Sequence, residues 1–238
     1  MAEIAPRDDT GGTVVLVGAG EYLPAMEPVD RRLLDRLAGP ARVVVLPTAS
    51  APDGPGVPER WARMGVEHFT RLGVAVEPVM LLTRDDAHLP ALVARISESN
   101  FVYLSGGSPR HLRETLQDSP AWQAIQAVHA AGGIVAGCSA GAMVLAGTMV
   151  DGRAWDATRP GLGLVPGILV IPHFDEMAGR VTALVDRLPP GVTLVGIDGL
   201  TALVGRRGEY RVWGQRSVTV ITPGGETRYT EGKSVPLP

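Results

Sequence analysis

Gly137-Cys-Ser-Ala-Gly141 places a serine between two glycines, at the end of the apolar run Gly133–Ala136 and ahead of the helix-compatible Ala142-Met-Val-Leu145. A serine on a sharp strand-to-helix turn is a nucleophile elbow, where the flanking backbones approach so closely that small neighbours are required. Gly137, Ala140, Gly141 and Ala142 are all small. Ser139 is therefore the candidate nucleophile. The amide of Ala140, at the helix start, faces the place where an oxyanion would develop. Cys138, one position earlier, points away from the cleft and reads as an inert buried thiol.

A nucleophilic serine needs a base. Of the five histidines, His68 lies on a helix face, His88 precedes a helix, and His111 and His129 sit within helices. His173 instead follows a strand at once, in Ile171-Pro-His-Phe-Asp-Glu176. The carboxyl end of a parallel strand delivers its next side chain to the edge where the elbow sits, which makes His173 the candidate base. Leu104-Ser-Gly-Gly-Ser-Pro109 closes another strand at this edge. Its paired glycines offer amides for a second oxyanion donor, while Ser108 and Pro109 suit the cap and first position of a helix. Gly18-Ala-Gly-Glu21 follows the first strand but lacks the third glycine of a dinucleotide fingerprint, and no metal-ligand run such as H-E-x-x-H is present. No cofactor and no metal are expected.

The elements that must position these residues alternate. Thr13–Val17 and Arg42–Leu46 are near-continuous apolar runs, as strands buried on both faces should be. Val74–Leu82, Asn100–Leu104, Gly133–Ala136, Leu169–Ile171 and Thr193–Ile197 continue the series. Between them, Val29 to Leu37, Val57 to Leu72, Leu89 to Ile96, Ala121 to Ala131 and Met177 to Leu188 carry helical spacing. Such alternation predicts a three-layer α/β fold, a mostly parallel sheet with helices on both faces. After Asp198, short strands at Thr201–Val204, Glu209–Trp213 and Ser217–Ile221 predict antiparallel hairpins. One domain over 1–238 is expected, with 1–12 as a flexible start and 200–238 as an antiparallel extension.

Composition removes other classes. The 238 residues carry 22 basic and 25 acidic side chains, which leaves no basic stripe for nucleic acid. A single cysteine excludes an internal disulfide and a multi-cysteine zinc site. No run of 18 apolar residues exists to span a membrane, and the polar start has no signal core, so the expected location is cytoplasmic. A homodimer is the remaining macromolecular partner expected.

GCSAGA after a strand, LSGGSPRHL one strand earlier, IPHFDE, and then VGIDGLTALV resemble the S51 serine peptidases, the family of aspartyl dipeptidases and cyanophycinases. The resemblance runs from about Thr13 to Val220 and implies a class I glutamine-amidotransferase-like fold. It also implies a serine-type hydrolase of peptide or isopeptide bonds, with a small peptide as substrate. Carried onto these positions, it makes Ser139 the nucleophile and His173 the base, with the Gly107 and Ala140 amides as oxyanion hole. Bonds involving aspartate ask for a cation at the cleft, and Arg110 and Arg180, with Ser108, are the candidates for substrate contact. The family pattern GIDE ends on the acid that orients histidine, but this chain reads Gly196-Ile-Asp-Gly199. Asp198 is the nearest replacement, although neighbouring side chains on a strand point to opposite faces; Glu176 and Glu21 are others. Two classes follow: a hydrolase with a relocated or weakened acid, or a catalytically weak or silent relative that binds a small ligand or partner at the same cleft. An esterase using the same serine is chemically close to the first.

Overall fold

The computed structural model describes residues 11–151, 157–177, 181–185, 187–206, 208–222 and 224–238. Its first sheet is built around β1 (Thr13–Val17), whose five residues are all buried. Val14 and Leu16 enter one core and Val15 and Val17 the other, so the strand has no polar face and reads as an unbroken apolar run. β5 (Ile134–Cys138), β4 (Phe101–Leu104), β2 (Arg42–Leu46) and β3 (Ala75–Pro78) extend from β1 in parallel. On its other side β10 (Thr201–Arg206), β11 (Glu209–Gly214) and β14 (Ser234–Pro236) are antiparallel.

Helices cover both faces. α1 (Glu27–Leu34) and α2 (Val57–Arg71) bury Val29, Leu33 and Phe69 against Val15, Val45 and Tyr103. α3 (Pro90–Ser97), α4 (Pro109–Leu116) and α5 (Pro120–Ala130) bury Ile96, Leu112, Leu116 and Ile125 on the opposite face. Removing one such leucine or isoleucine from water contributes about 1.5–3 kcal/mol. Ser108 and Ser119 cap α4 and α5 through their hydroxyls, each ahead of a proline at the first helical position. The fold is the mixed α/β class that the alternation predicts.

A second sheet departs from the expected plan. β6 (Ala146–Asp151), β8 (Val165–Ile171) and β9 (Thr193–Ile197) run parallel, flanked by antiparallel β7 (Ala157–Pro160), β12 (Ser217–Thr222) and β13 (Gly225–Thr230). Thus the strands expected at 169–171 and 193–197 pair here, not beside β1. Ile168, Val170, Val195 and Ile197 face the core shared with Leu203 and Val212 of the first sheet. Leu169, Ile171 and Leu194 face outward under Phe174, Val181 and Leu184. The expected helix over 177–188 is represented by α7 (Phe174–Met177) and α8 (Thr182–Val185), with 178–180 and 186 outside the described residues. The expected flexible start is likewise outside them up to residue 10; Gly12 is buried.

Candidate active site

Ser139 closes β5 at φ 50° and ψ −108°, outside the regions that non-glycine residues favour. Such a conformation costs on the order of 1–3 kcal/mol and persists where surroundings over-determine it. Here the Ser139 N–H donates to the Val17 carbonyl at 2.9 Å, and the Ser139 carbonyl accepts from Met143 N–H at 3.0 Å in the first turn of α6 (Ala140–Leu145). A methyl group on Gly137 would lie 2.5 Å from the Gly141 carbonyl oxygen, and one on Gly141 would lie 2.5 Å from that of Leu104. The two glycines of G-x-S-x-G therefore let α6 sit on the ends of β4 and β5.

His173 follows β8, also at positive φ (51°), and its Nε2 lies 3.2 Å from Ser139 Oγ. The hydroxyl and the imidazole that the sequence singles out are thus in hydrogen-bond contact across 34 residues. Phe174 anchors this loop: its ring fills the space above Gly196, where a methyl group would lie 2.7 Å from Cε2. The glycine on β9 is what admits the ring.

The two candidate oxyanion amides lie in the turns that adjoin Ser139. Gly107, at φ 136°, would be strained by any side chain, because a methyl group would meet Ser50 N at 2.7 Å. Its neighbour Ser108 donates to the Ala49 carbonyl at 2.7 Å, whereas the Gly107 N–H has no hydrogen-bond partner among the described residues. Ala140 is the first residue of α6, so no earlier helical carbonyl takes its N–H.

The acid candidates are placed elsewhere. Asp198 is buried, and its Oδ2 accepts from Ser217 N–H (3.2 Å), Ser217 Oγ–H (2.5 Å) and Arg228 Nη2 (3.4 Å). No hydrogen bond joins Asp198 to His173 among the described residues. Asp198 follows β9 directly, where its backbone N–H donates to the Ser217 carbonyl at 3.1 Å and its carboxylate reaches Ser217 of β12 and Arg228 of β13. Glu21 is buried as well: Oε1 accepts from Gly106 N–H at 2.9 Å and Oε2 from the Cys138 thiol at 2.8 Å. Glu176 is exposed, and its amide turns back to the His173 carbonyl. Among the described residues, Ser139 is the hydrogen-bond partner of the His173 ring.

Asp175, which the sequence reading passed over, lies beside Gly199. A methyl group on Gly199 would lie 3.8 Å from both Asp175 carboxylate oxygens. Oδ1 accepts the Gly199 N–H at 2.9 Å, and Arg216 donates to Oδ2. The only advance signal was its position two residues after His173.

The proposed substrate contacts are held in helix surfaces. Ser108 Oγ caps α4 by accepting from His111 N–H at 3.2 Å. Arg110 pairs with Glu114 at 2.8 Å one turn along the same exposed face. Arg180 lies outside the described residues. Burial, then the charge of Glu21, pushes the Cys138 thiol well above its ordinary range, so it remains a neutral donor. No group of three metal-ligating side chains occurs among the described residues, and none of their helices is long and apolar enough to cross a membrane.

The model of peptidase family S51 matches residues 14–212. The crystal structure of a peptidase from an acI-B1 actinobacterium superposes with a TM-score of 0.87 at 32% identity, covering 95% of this chain and 97% of that one. Cyanophycinase of Synechococcus elongatus is 29% identical over 226 residues, 89% of this chain and 68% of the relative. A Nostoc cyanophycinase is 29% identical over 235 residues, 93% of this chain and 77% of its own. Matching the family model over most of its length, the chain belongs to peptidase family S51.

Proposed function

We propose that the protein is a serine-type hydrolase of peptide or isopeptide bonds. Ser139 acts as nucleophile, His173 as base, and the Gly107 and Ala140 amides as oxyanion donors. The observation that carries this reading is the 3.2 Å contact between His173 Nε2 and the hydroxyl of a serine held at positive φ. His173 takes the hydroxyl proton as Oγ attacks the substrate carbonyl, and the negative charge moves to the carbonyl oxygen. The amides stabilise that oxygen. The imidazolium then gives its proton to the leaving nitrogen as the C–N bond breaks. Water, deprotonated by the same histidine, releases the acyl group and restores the serine. The family context favours substrates whose scissile bond involves aspartate.

A second reading rests on one observation: no described carboxylate hydrogen-bonds to His173, and glycine stands at 199. On that reading the cleft binds a small ligand or partner and hydrolyses weakly or not at all. Loss of an orienting acid lowers turnover by about 10⁴ in a serine triad. A dipeptide panel including N-terminal aspartyl substrates separates the two. The hydrolase reading expects slow release of free amino acids, lost in Ser139→Ala and reduced by several orders of magnitude in His173→Ala. Release that persists in folded Ser139→Ala refutes it, and absence of release from the whole panel favours the binding reading.

A further inference from the structure

We propose that Glu21 is a positioning residue, which clamps the oxyanion-donor turn to the nucleophile strand by the reach of its carboxylate and not by its charge. The inference rests on the Ser139–His173 reading above. Glu21 lies three residues beyond Gly18, in the loop that follows β1, and is 6% exposed. Its two oxygens are divided between two other strand ends. Oε1 accepts the N–H of Gly106, the residue before the candidate donor Gly107. Oε2 accepts the thiol of Cys138, the residue before Ser139. One side chain therefore links the loops after β1 and β4 to the last residue of β5, the three adjacent strands at this edge.

The space between these groups is tight. A methyl group on Gly106 would lie 3.0 Å from Glu21 Oε1 and 3.4 Å from Ser139 Cβ, so Gly106 is packed between the carboxylate and the nucleophile. With the Gly106 amide fixed on one side and Ser108 N–H held by the Ala49 carbonyl on the other, the peptide between them has its position set from both ends. The Gly107 N–H has no hydrogen-bond partner among the described residues. A donor prealigned in this way costs no reorganisation when the oxyanion forms, which is the source of its catalytic value. The thiol completes the clamp because burial and the neighbouring carboxylate keep it protonated.

Reach and charge are separable by two conservative variants that preserve most of the buried volume. Glu21→Gln keeps an oxygen at the same distance for Gly106, removes the charge, and turns an N–H toward Cys138 Sγ, which then accepts where it had donated. Glu21→Asp keeps the charge and withdraws the oxygens by one methylene. For a reach-based clamp, Glu21→Gln stays within about 3-fold of the parent kcat, while Glu21→Asp loses about 10- to 100-fold in kcat with KM unchanged, less than deletion of an oxyanion donor outright. The converse pattern, equal impairment of both, or parental kcat in both overturns the proposal, as does a loss confined to KM. Amide exchange at Gly106, followed by NMR, reads the clamp without catalysis: protection is expected in the parent and Glu21→Gln and is expected to be lost in Glu21→Asp. Protection that is equal in all three overturns the proposal. Hydrolysis surviving in Ser139→Ala instead refutes the nucleophile assignment, and the exchange result then stands apart from it.

Discussion

Gly199→Glu tests how the site manages without an acid at that position. The backbone there is not in the left-handed region, and a new Cβ would make ordinary contacts with Ala19 Cβ and both Asp175 oxygens at 3.8 Å. The substitution is therefore sterically mild and electrostatically costly, because the introduced carboxylate starts beside one already present. Two unit charges 4 Å apart interact by about 1 kcal/mol in water and about 4 kcal/mol at the effective dielectric of a protein surface. Arg216, paired to Asp175, offsets part of this. At about 1.4 kcal/mol per factor of ten, the repulsion corresponds to about 5-fold up to several hundred-fold in rate. Gly199→Glu alone should thus raise activity little. Adding Asp175→Asn, which keeps an oxygen for the Gly199 N–H but removes the charge, should release a gain of that size. The assay is a double-mutant cycle on kcat/KM for an N-terminal aspartyl dipeptide, with thermal unfolding as the fold control. If the two changes are simply additive, Asp175 does not hold the space facing residue 199 and the reasoning is wrong.

Other expectations bear on separate parts of the site. Ser139→Gly should abolish activity yet stabilise the fold by about 1 kcal/mol, since it relieves a positive-φ side chain; a lower unfolding midpoint than the parent would contradict the strain assignment. Gly107→Ala should cost both stability and rate, because its methyl group meets Ser50 N and the conformation disfavours a side chain; unchanged kcat in a folded variant removes the turn from the mechanism. Asp198→Asn should lower stability by about 1 kcal/mol through its bonds to Ser217 and Arg228 while leaving kcat near the parent value; a crippled but stable variant would return Asp198 to the triad. Cys138, whose thiol stays protonated at pH 8, should resist iodoacetamide in the folded protein and react fully in denaturant; fast alkylation of the native state would contradict its burial.

The elements legible in advance are those whose sequence reports both of their faces. β1, β2 and β4 are buried on each side, so TVVLV, RVVVL and FVYL show as apolar runs whatever lies beside them. The elbow was legible because close approach of α6 to β4 and β5 forces glycine at two spacings around Ser139. The second sheet was not, because a β-branched run does not name its partner: β8 and β9 pair with each other and not with β1. β6 was hidden since Ala146-Gly-Thr-Met-Val150 continues the apolar tone of α6; the chain leaves the helix at Ala146, which is extended at ψ 161°. Strand order alone pointed to His173 as the residue after a strand, but its contact with Ser139 is made between two sheets, since β8 belongs to the second sheet and β5 to the first. The acid was not legible. Asp198, Glu21 and Asp175 are all carboxylates near the right strands, and their roles are assigned by hydrogen bonds to Ser217, Gly106 and Gly199 that have no local sequence signature.

Activation of Ser139 as a nucleophile can be read directly. Peptide mapping by tandem mass spectrometry after treatment with a fluorophosphonate tests it without knowledge of the substrate, because the reagent needs the hydroxyl, the base and the oxyanion donors together. One adduct is expected, on Ser139, absent from the His173→Ala variant within the same exposure time. An adduct on another residue, or an unmodified Ser139 in the folded parent protein, would contradict the account.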